Sequence, residues 1–213
     1  MSTFYYVNTP DEVKLESLLR HVMPTINNLP YELGLELVRQ AFTEFARKTQ
    51  MLASQQYLDF QRGVVDYEIT APTGYFTHMV REVGSGSNTI VGSITPHSWY
   101  VCGRYRFSVI GNNVLMLSAA PSTDEAGAFA VLTTVIPNES IVTIPREVSV
   151  AYGKCIADGA LAEALLIKSK PWYDPNLAQQ KKRDFYRGVQ SAGALALMNR
   201  TSGTMTARTP RWV

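Results

Sequence analysis

The spacing of apolar residues changes twice along this chain, from a helical period to a period of two and back, and few folds accommodate that order. Between residues 31 and 52, Tyr31, Leu35, Val38, Phe42, Phe45 and Leu52 recur at steps of four and three, interrupted only by Thr49. Such a stripe predicts a core-facing helix. Leu37 and Ala41 widen it, while Glu32, Glu36, Arg39, Glu44, Arg47 and Lys48 supply a polar surround. From residue 55 to residue 145 the period falls to two in "VVDYEIT", "HMVREV", "NTIVGSI", "RYRFSVI", "NVLMLS" and "AVLTTVIP". These short runs are rich in branched and aromatic residues and are separated by Pro72-Thr73-Gly74, Gly84-Ser85-Gly86-Ser87 and Gly111-Asn112-Asn113, so they predict a small antiparallel sandwich or barrel. Gly111-Asn112-Asn113 is the best hairpin candidate, because glycine and asparagine tolerate positive φ.

Helical spacing returns after Pro145, where Val148, Tyr152, Cys155, Gly159, Ala162 and Leu166 again step by four and three. Ala151, Gly153, Ala157, Gly159, Ala160, Ala162 and Ala164 leave little side chain outside this helix, so a neighbouring helix can approach closely. A last helix starts with Asp174 as N-cap and Pro175 in the first turn, burying Leu177 or Ala178, Phe185, Val189, Ala192 and Leu195 or Ala196. At the other end, Thr9-Pro10-Asp11-Glu12 offers a capping hydroxyl, a proline and a glutamate, the signature of a helix start. A helix of about 13 residues is expected there, carrying Leu15, Leu18, Leu19 and Val22 on one face and stopping at Pro24.

The expected fold class is therefore α+β, a helical bundle formed by N- and C-terminal helix pairs with an inserted antiparallel β-sandwich or barrel-like domain. The corresponding divisions are 1–54 for the N-terminal helices, 55–145 for the β insert, 146–199 for the C-terminal hairpin and 200–213 for an extended basic arm.

Composition narrows the chemistry. With 46% hydrophobic residues in 213, the chain can bury a core, and no apolar run reaches the roughly 18 residues that a membrane span requires. The opening "MSTFYYVNTPDEVK" lacks the character of a signal peptide, which points to the cytoplasm. Cys102 and Cys155 are too few and too distant in sequence for a disulfide framework and suit small core positions. His21, His78 and His97 are scattered, and no Walker loop, G-x-S-x-G, G-x-G-x-x-G or H-E-x-x-H is present. Asp158 and Glu163 lie five residues apart and do not stack into a paired acid and base. Catalytic, metal and cofactor sites are accordingly not expected. "GSGSN" at residues 84–88 reads as a hairpin tip, since no lysine or helix follows it as in a phosphate loop.

The net charge of +2 conceals an asymmetry. Residues 1–54 hold 5 basic and 6 acidic side chains, residues 55–145 hold 4 and 7, and residues 146–213 hold 11 and 5. So positive a C-terminal third suits an acidic partner surface or a nucleic acid. No recognition-helix or stacking motif marks a dedicated nucleic-acid reader.

The segment "AYGKCIADGALAEALLIKSKPWYDPNLAQQKKRDFYRGVQSA" breaks a small-residue helix at Lys170-Pro171-Trp172-Tyr173 and restarts on Asp174-Pro175. It resembles the C-terminal helical hairpin of tailed-bacteriophage head-to-tail adaptor (connector, or neck) proteins, although Ser169 stands where that family's corner carries a glycine. "LPYELGLELVRQAFTEFARKTQ", "QRGVVDYEITAPTGY" and "NVLMLSAAP" resemble the family's amphipathic helix, first strands and later hairpin, so the likeness spans most of the chain. It implies a non-enzymatic virion structural protein, assembled in the host cytoplasm. Such subunits form a ring, usually dodecameric, that docks under the portal, meets a downstream tail or nozzle protein and extends the DNA channel. Phage DNA then lies close without being read. Lys170, Pro171, Trp172 and Tyr173 become corner and subunit-packing residues. The terminal stretch, with Arg200, Arg208, Arg211 and Trp212 and no acid after residue 200, becomes an arm that orders on the portal, its arginines on carboxylates and Trp212 in an apolar slot. Alternatives are another neck or tail ring component, such as a stopper or tail terminator, and a DNA-binding protein of packaging.

Overall fold

Among the described residues the order opens with two short strands, β1 (Tyr5–Tyr6) and β2 (Glu12–Lys14), and then one 3-10 turn over Leu15–Leu18 that leads into a single turn of α-helix, α1 (Leu19–Val22). The long helix α2 (Tyr31–Thr49) follows. Eight strands come next: β3 (Leu52–Phe60), β4 (Asp66–Glu68), β5 (Tyr75–Ser85), β6 (Ile90–Gly92), β7 (Trp99–Cys102), β8 (Tyr105–Ile110), β9 (Val114–Leu117) and β10 (Glu125–Pro137). Strand β11 (Thr143–Pro145) runs straight into α3 (Arg146–Ala164), and α4 (Pro175–Met198) closes the order. The computed structural model describes residues 5–7, 11–85, 90–92 and 94–198.

Strands pair into a five-stranded sheet in the order β1-β3-β10-β5-β6, a four-stranded sheet β4-β9-β8-β7, and a two-stranded ladder β11-β2. Among the described residues all pairs are antiparallel except β1 with β3. Gly111, at φ +60°, turns the hairpin that pairs Ile110 with Val114.

Two apolar cores result. In the first, Phe42, Phe45 and Val38 of α2 meet Ile156, Ala160 and Leu161 of α3, Phe185 and Val189 of α4, and the strand residues Leu52, Tyr75, Val135 and Ile144. In the second, Leu58, Phe60, Val83, Phe129 and Val131 of the five-stranded sheet face Tyr67, Cys102, Phe107 and Leu115 of the four-stranded sheet. Strands β3, β5 and β10 are long enough to serve both. One end of each lies under the helices, and the other lies over the second sheet.

This architecture overturns the expected fold class. The chain is a mixed α/β structure of four helices and three sheets among the described residues, not a bundle of N- and C-terminal helix pairs carrying an inserted β-sandwich or barrel-like domain. The N-terminal pair does not form because Glu12–Lys14 pairs instead with Thr143–Pro145, placing Val13 opposite Ile144. Asp11 is held by Arg146 at 2.5 Å and its carbonyl accepts from the Arg146 amide at 3.0 Å. Leu15, Leu18, Leu19 and Val22 are buried as the stripe requires. Four apolar residues over two turns, however, fit a short 3-10 and α turn as well as a long helix, so periodicity could not set its length. The helices also share their core with the sheet, which makes them a layer over strands rather than a separate bundle.

Helix α2 stops at Thr49, with Gln50 at φ +52° as its left-handed cap, so Leu52 belongs to β3 and not to the helix. The apparent interruption at Thr49 is no gap in the stripe. That side chain is buried, and its hydroxyl donates to the Phe45 carbonyl at 2.9 Å. β3 crosses residues 54 and 55, where the division between helical and β segments was drawn.

Candidate functional site

Helix α3 exposes Glu147, Val150, Ala151 and Lys154 along one side of its first half and is buried on nearly every side from Ile156 to Ala164, with Val148 and Gly153 also buried. Its small residues stand where neighbours press closest. A Cβ on Gly159 would lie 2.8 Å from Phe185 Cδ2 and 3.2 Å from Ala41 Cβ, and one on Gly153 would lie 2.9 Å from Leu18 Cδ2. α3 thus touches α2, α4 and the N-terminal turn at once, which side chains larger than alanine would prevent.

The corner between α3 and α4 is closed by backbone and side-chain bonds together. Ile167 N–H donates to Ala164 O at 3.2 Å, Tyr173 N–H to Lys170 O at 3.1 Å, and Asp174 N–H to Leu165 O at 3.0 Å. Trp172 Nε1–H donates to the same Ala164 O at 3.1 Å, so that carbonyl at the helix end accepts two hydrogen bonds. Lys170 Nζ sits 5.9 Å from the Trp172 ring centroid. Lys170 and Trp172 are therefore brought together, whereas Pro171 and Tyr173 are exposed beside them. Ser169 occupies the left-handed region at φ +64°. Asp174 caps α4 by accepting from the amides of Asn176 and Leu177 at 3.0 Å each. Within α4, Ala178 and Ala196 are the buried members of the two pairs that the periodicity left open, and Leu195 is exposed. Leu166 lies past the end of α3 and is also exposed.

Charges inside the hairpin are matched across helices. Asp158 is buried and pairs with Lys181 at 2.8 Å, whereas Glu163 is exposed with Lys182 at 3.9 Å, so the two acids serve different partners. Tyr186 donates its hydroxyl to Glu44 Oε1 at 2.9 Å, and that bond, with burial and the charges of Glu44 and Glu163, raises its pKa. The Cys155 thiol donates to Phe185 O at 3.4 Å; burial and the charge of Asp158 push it up to about 11, so it is a packed neutral group at neutral pH. Sequence spacing did not reveal these pairs. Tyr186 and Glu44 are 142 residues apart, and the one available signal for Asp158 was an acid set in a run of Ala, Gly and Leu.

The histidines do not converge. His21 lies beside Arg20, His97 adopts φ +64°, and His78 lies 3.5 Å from Gln50 Nε2. Among the described residues no three or more His, Cys, Asp or Glu side chains are grouped to hold a metal ion, and no helix is long and apolar enough to cross a membrane. The "GSGSN" run starts in the last two residues of β5, where Gly84 pairs with Ile90 of β6; residues 86–89 lie outside the described residues. Arg200, Arg208, Arg211 and Trp212 also lie outside them.

No family model matches the chain, and no curated protein matches it.

Proposed function

We propose that this chain is a structural subunit of a tailed-phage head-to-tail adaptor, assembling as a ring, dodecameric as in the family it resembles, beneath a portal and above a tail or nozzle protein. The α3–α4 hairpin carries this reading. Its resemblance to the adaptor corner is matched by a compact construction in which Trp172 ties the turn to Ala164, and Gly159 lets Phe185 and Ala41 meet over α3. A subunit narrowed in this way suits a wedge that repeats around a closed circle, because each neighbour-to-neighbour contact is heterologous and must close by rotation. Exposed Lys170, Pro171 and Tyr173 lie at the tip of that hairpin, available to an adjoining copy. The C-terminal arm, through Arg208, Arg211 and Trp212, would engage the portal.

The test is co-assembly of the full chain with the portal protein of the same virus, with and without residues 200–213. Binding lost on truncation while the melting temperature stays unchanged supports the arm. Particles produced without this polypeptide that still join tails to capsids would overturn the adaptor assignment.

A further inference from the structure

Helix α4 has two unlike faces. One buries Ala178, Phe185, Val189, Ala192 and Ala196 in the first core. The other presents a shallow concavity of about 630 Å³ lined by Gln179, Lys182, Arg183, Tyr186, Arg187 and Gln190. These positions step by three and four along the helix, a stripe about 16 Å long at 1.5 Å per residue. Every lining side chain carries a hydrogen-bond donor, three are cations, none is a carboxylate, and none is aliphatic. The surrounding segment, residues 165–198, contains six Lys or Arg against two Asp or Glu.

The carboxylates nearest the stripe do not cancel it. Glu163 stands 3.9 Å from Lys182 and Asp184 stands 3.7 Å from Arg187, both beyond hydrogen-bond length and both well exposed, so either cation can turn to another oxygen at small cost. Glu44 is engaged by the Tyr186 hydroxyl and lies 3.8 Å from Lys48 Nζ. Lys48 also stands 5.3 Å from the centre of the Tyr186 ring, so a cation from α2 joins the edge of the same surface.

From this arrangement we infer that the outer face of α4 is a contact surface for the phosphate backbone of duplex nucleic acid. Arg, Lys, Gln and Tyr are side chains that commonly bond phosphate oxygens, and a backbone offers a regular row of acceptors along a stripe of donors. An acidic protein surface is the competing occupant, because tyrosine and arginine also anchor protein interfaces; it fits less well here, since the single ring on this face is already tied to Glu44 and covered by Lys48 and no aliphatic side chain lines the concavity. The inference does not rest on the adaptor reading, since one unassembled chain carries the whole stripe.

The test is a salt titration of a short fluorescent duplex against the full chain, in a background with Arg200, Arg208 and Arg211 changed to Gln so that the C-terminal arginines contribute nothing. Adding Lys182→Gln, Arg183→Gln and Arg187→Gln removes three cations from exposed positions. At about 0.9 per neutralised phosphate, the slope of log affinity against log salt should become shallower by roughly 2.7. Arg183→Glu alone should weaken binding while leaving the melting temperature unchanged. The inference is overturned by the absence of duplex binding at low salt, or by a slope that the triple substitution leaves unaltered. Equal binding of poly-glutamate would also overturn it and reassign the face to an acidic protein. None of these results bears on portal binding, so the adaptor reading stands or falls separately.

Discussion

Ser169 is a residue at which sequence and geometry conflict. It holds φ +64° in the α3–α4 corner, in the left-handed region that favours glycine. An L-residue in the left-handed region costs about 1–2 kcal/mol, and glycine removes that cost while forfeiting roughly 0.5–1 kcal/mol of chain entropy. Ser169→Gly should therefore stabilise the protein by about 0.5–1 kcal/mol, raising the melting temperature by roughly 1–4 °C for a chain of this size. Calorimetry that finds no increase would remove the strain argument. His78 supplies a second residue-scale prediction. Burial first, then the charges of Arg81 and Arg47, hold its pKa below the ordinary value. The unfolded chain therefore takes up the proton more readily, and stability falls as pH drops through about 6.5 towards the folded value. His78→Gln should flatten that limb of the stability profile without altering the limb above neutrality, as denaturant midpoints across pH would record.

Helix α4 was legible in the sequence, save for which member of the pairs Leu177/Ala178 and Leu195/Ala196 is buried, because its signals were local: an Asp174 cap, a Pro175 first turn and a stripe through Phe185 and Val189. α2 was legible for the same reason, apart from its end, where a buried Thr49 broke the pattern of apolar letters while continuing the buried face. What escaped depends on partners distant in sequence. β2 is a strand only because residues 143–145 lie beside it, and no propensity within Glu12–Lys14 announces that. Likewise the pairing of Asp158 with Lys181 fixes how α3 meets α4 but leaves no mark in periodicity. The closest contact between these helices gives a prediction. A Cβ on Gly188 would meet the Cys155 sulfur well inside van der Waals contact and lie 3.0 Å from its Cβ. Gly188→Ala alone should destabilise by about 1–3 kcal/mol through overpacking. In a Cys155→Ala background the sulfur is gone and only the Cβ contact at 3.0 Å remains, so most of the overpacking is relieved and alanine's helix propensity offsets it by up to about 1 kcal/mol. The cost of the substitution should therefore be clearly smaller in the Cys155→Ala background in urea denaturation, a coupling expected of residues in contact. Equal effects in both would show that the helices separate more easily than their packing implies.

At the scale of the whole molecule, the question is whether the helical layer and the distal sheets are one unit or two. β3 carries Leu52 in the first core and Leu58 and Phe60 in the second; β10 carries Val135 in the first and Phe129 and Val131 in the second. Melting either core would leave the same strands half unsupported, with their ladder bonds intact on one end and an apolar face open to water. That arrangement favours a single cooperative transition. Trp99 in the four-stranded sheet and Trp172 at the helical corner report from different ends of the fold. With Trp172 and Trp212 replaced by Phe, Trp99 becomes the sole tryptophan and its fluorescence follows the distal sheet, while far-UV circular dichroism of the same sample is dominated by the helices. The two urea curves should superimpose. With Trp99 and Trp212 replaced instead, the Trp172 signal should again track the helical signal, at a different midpoint because the substitutions differ. If the Trp99 transition came first while ellipticity persisted, the shared strands would be too weak to couple the cores, and the sheets beyond residue 55 would behave as a domain of their own.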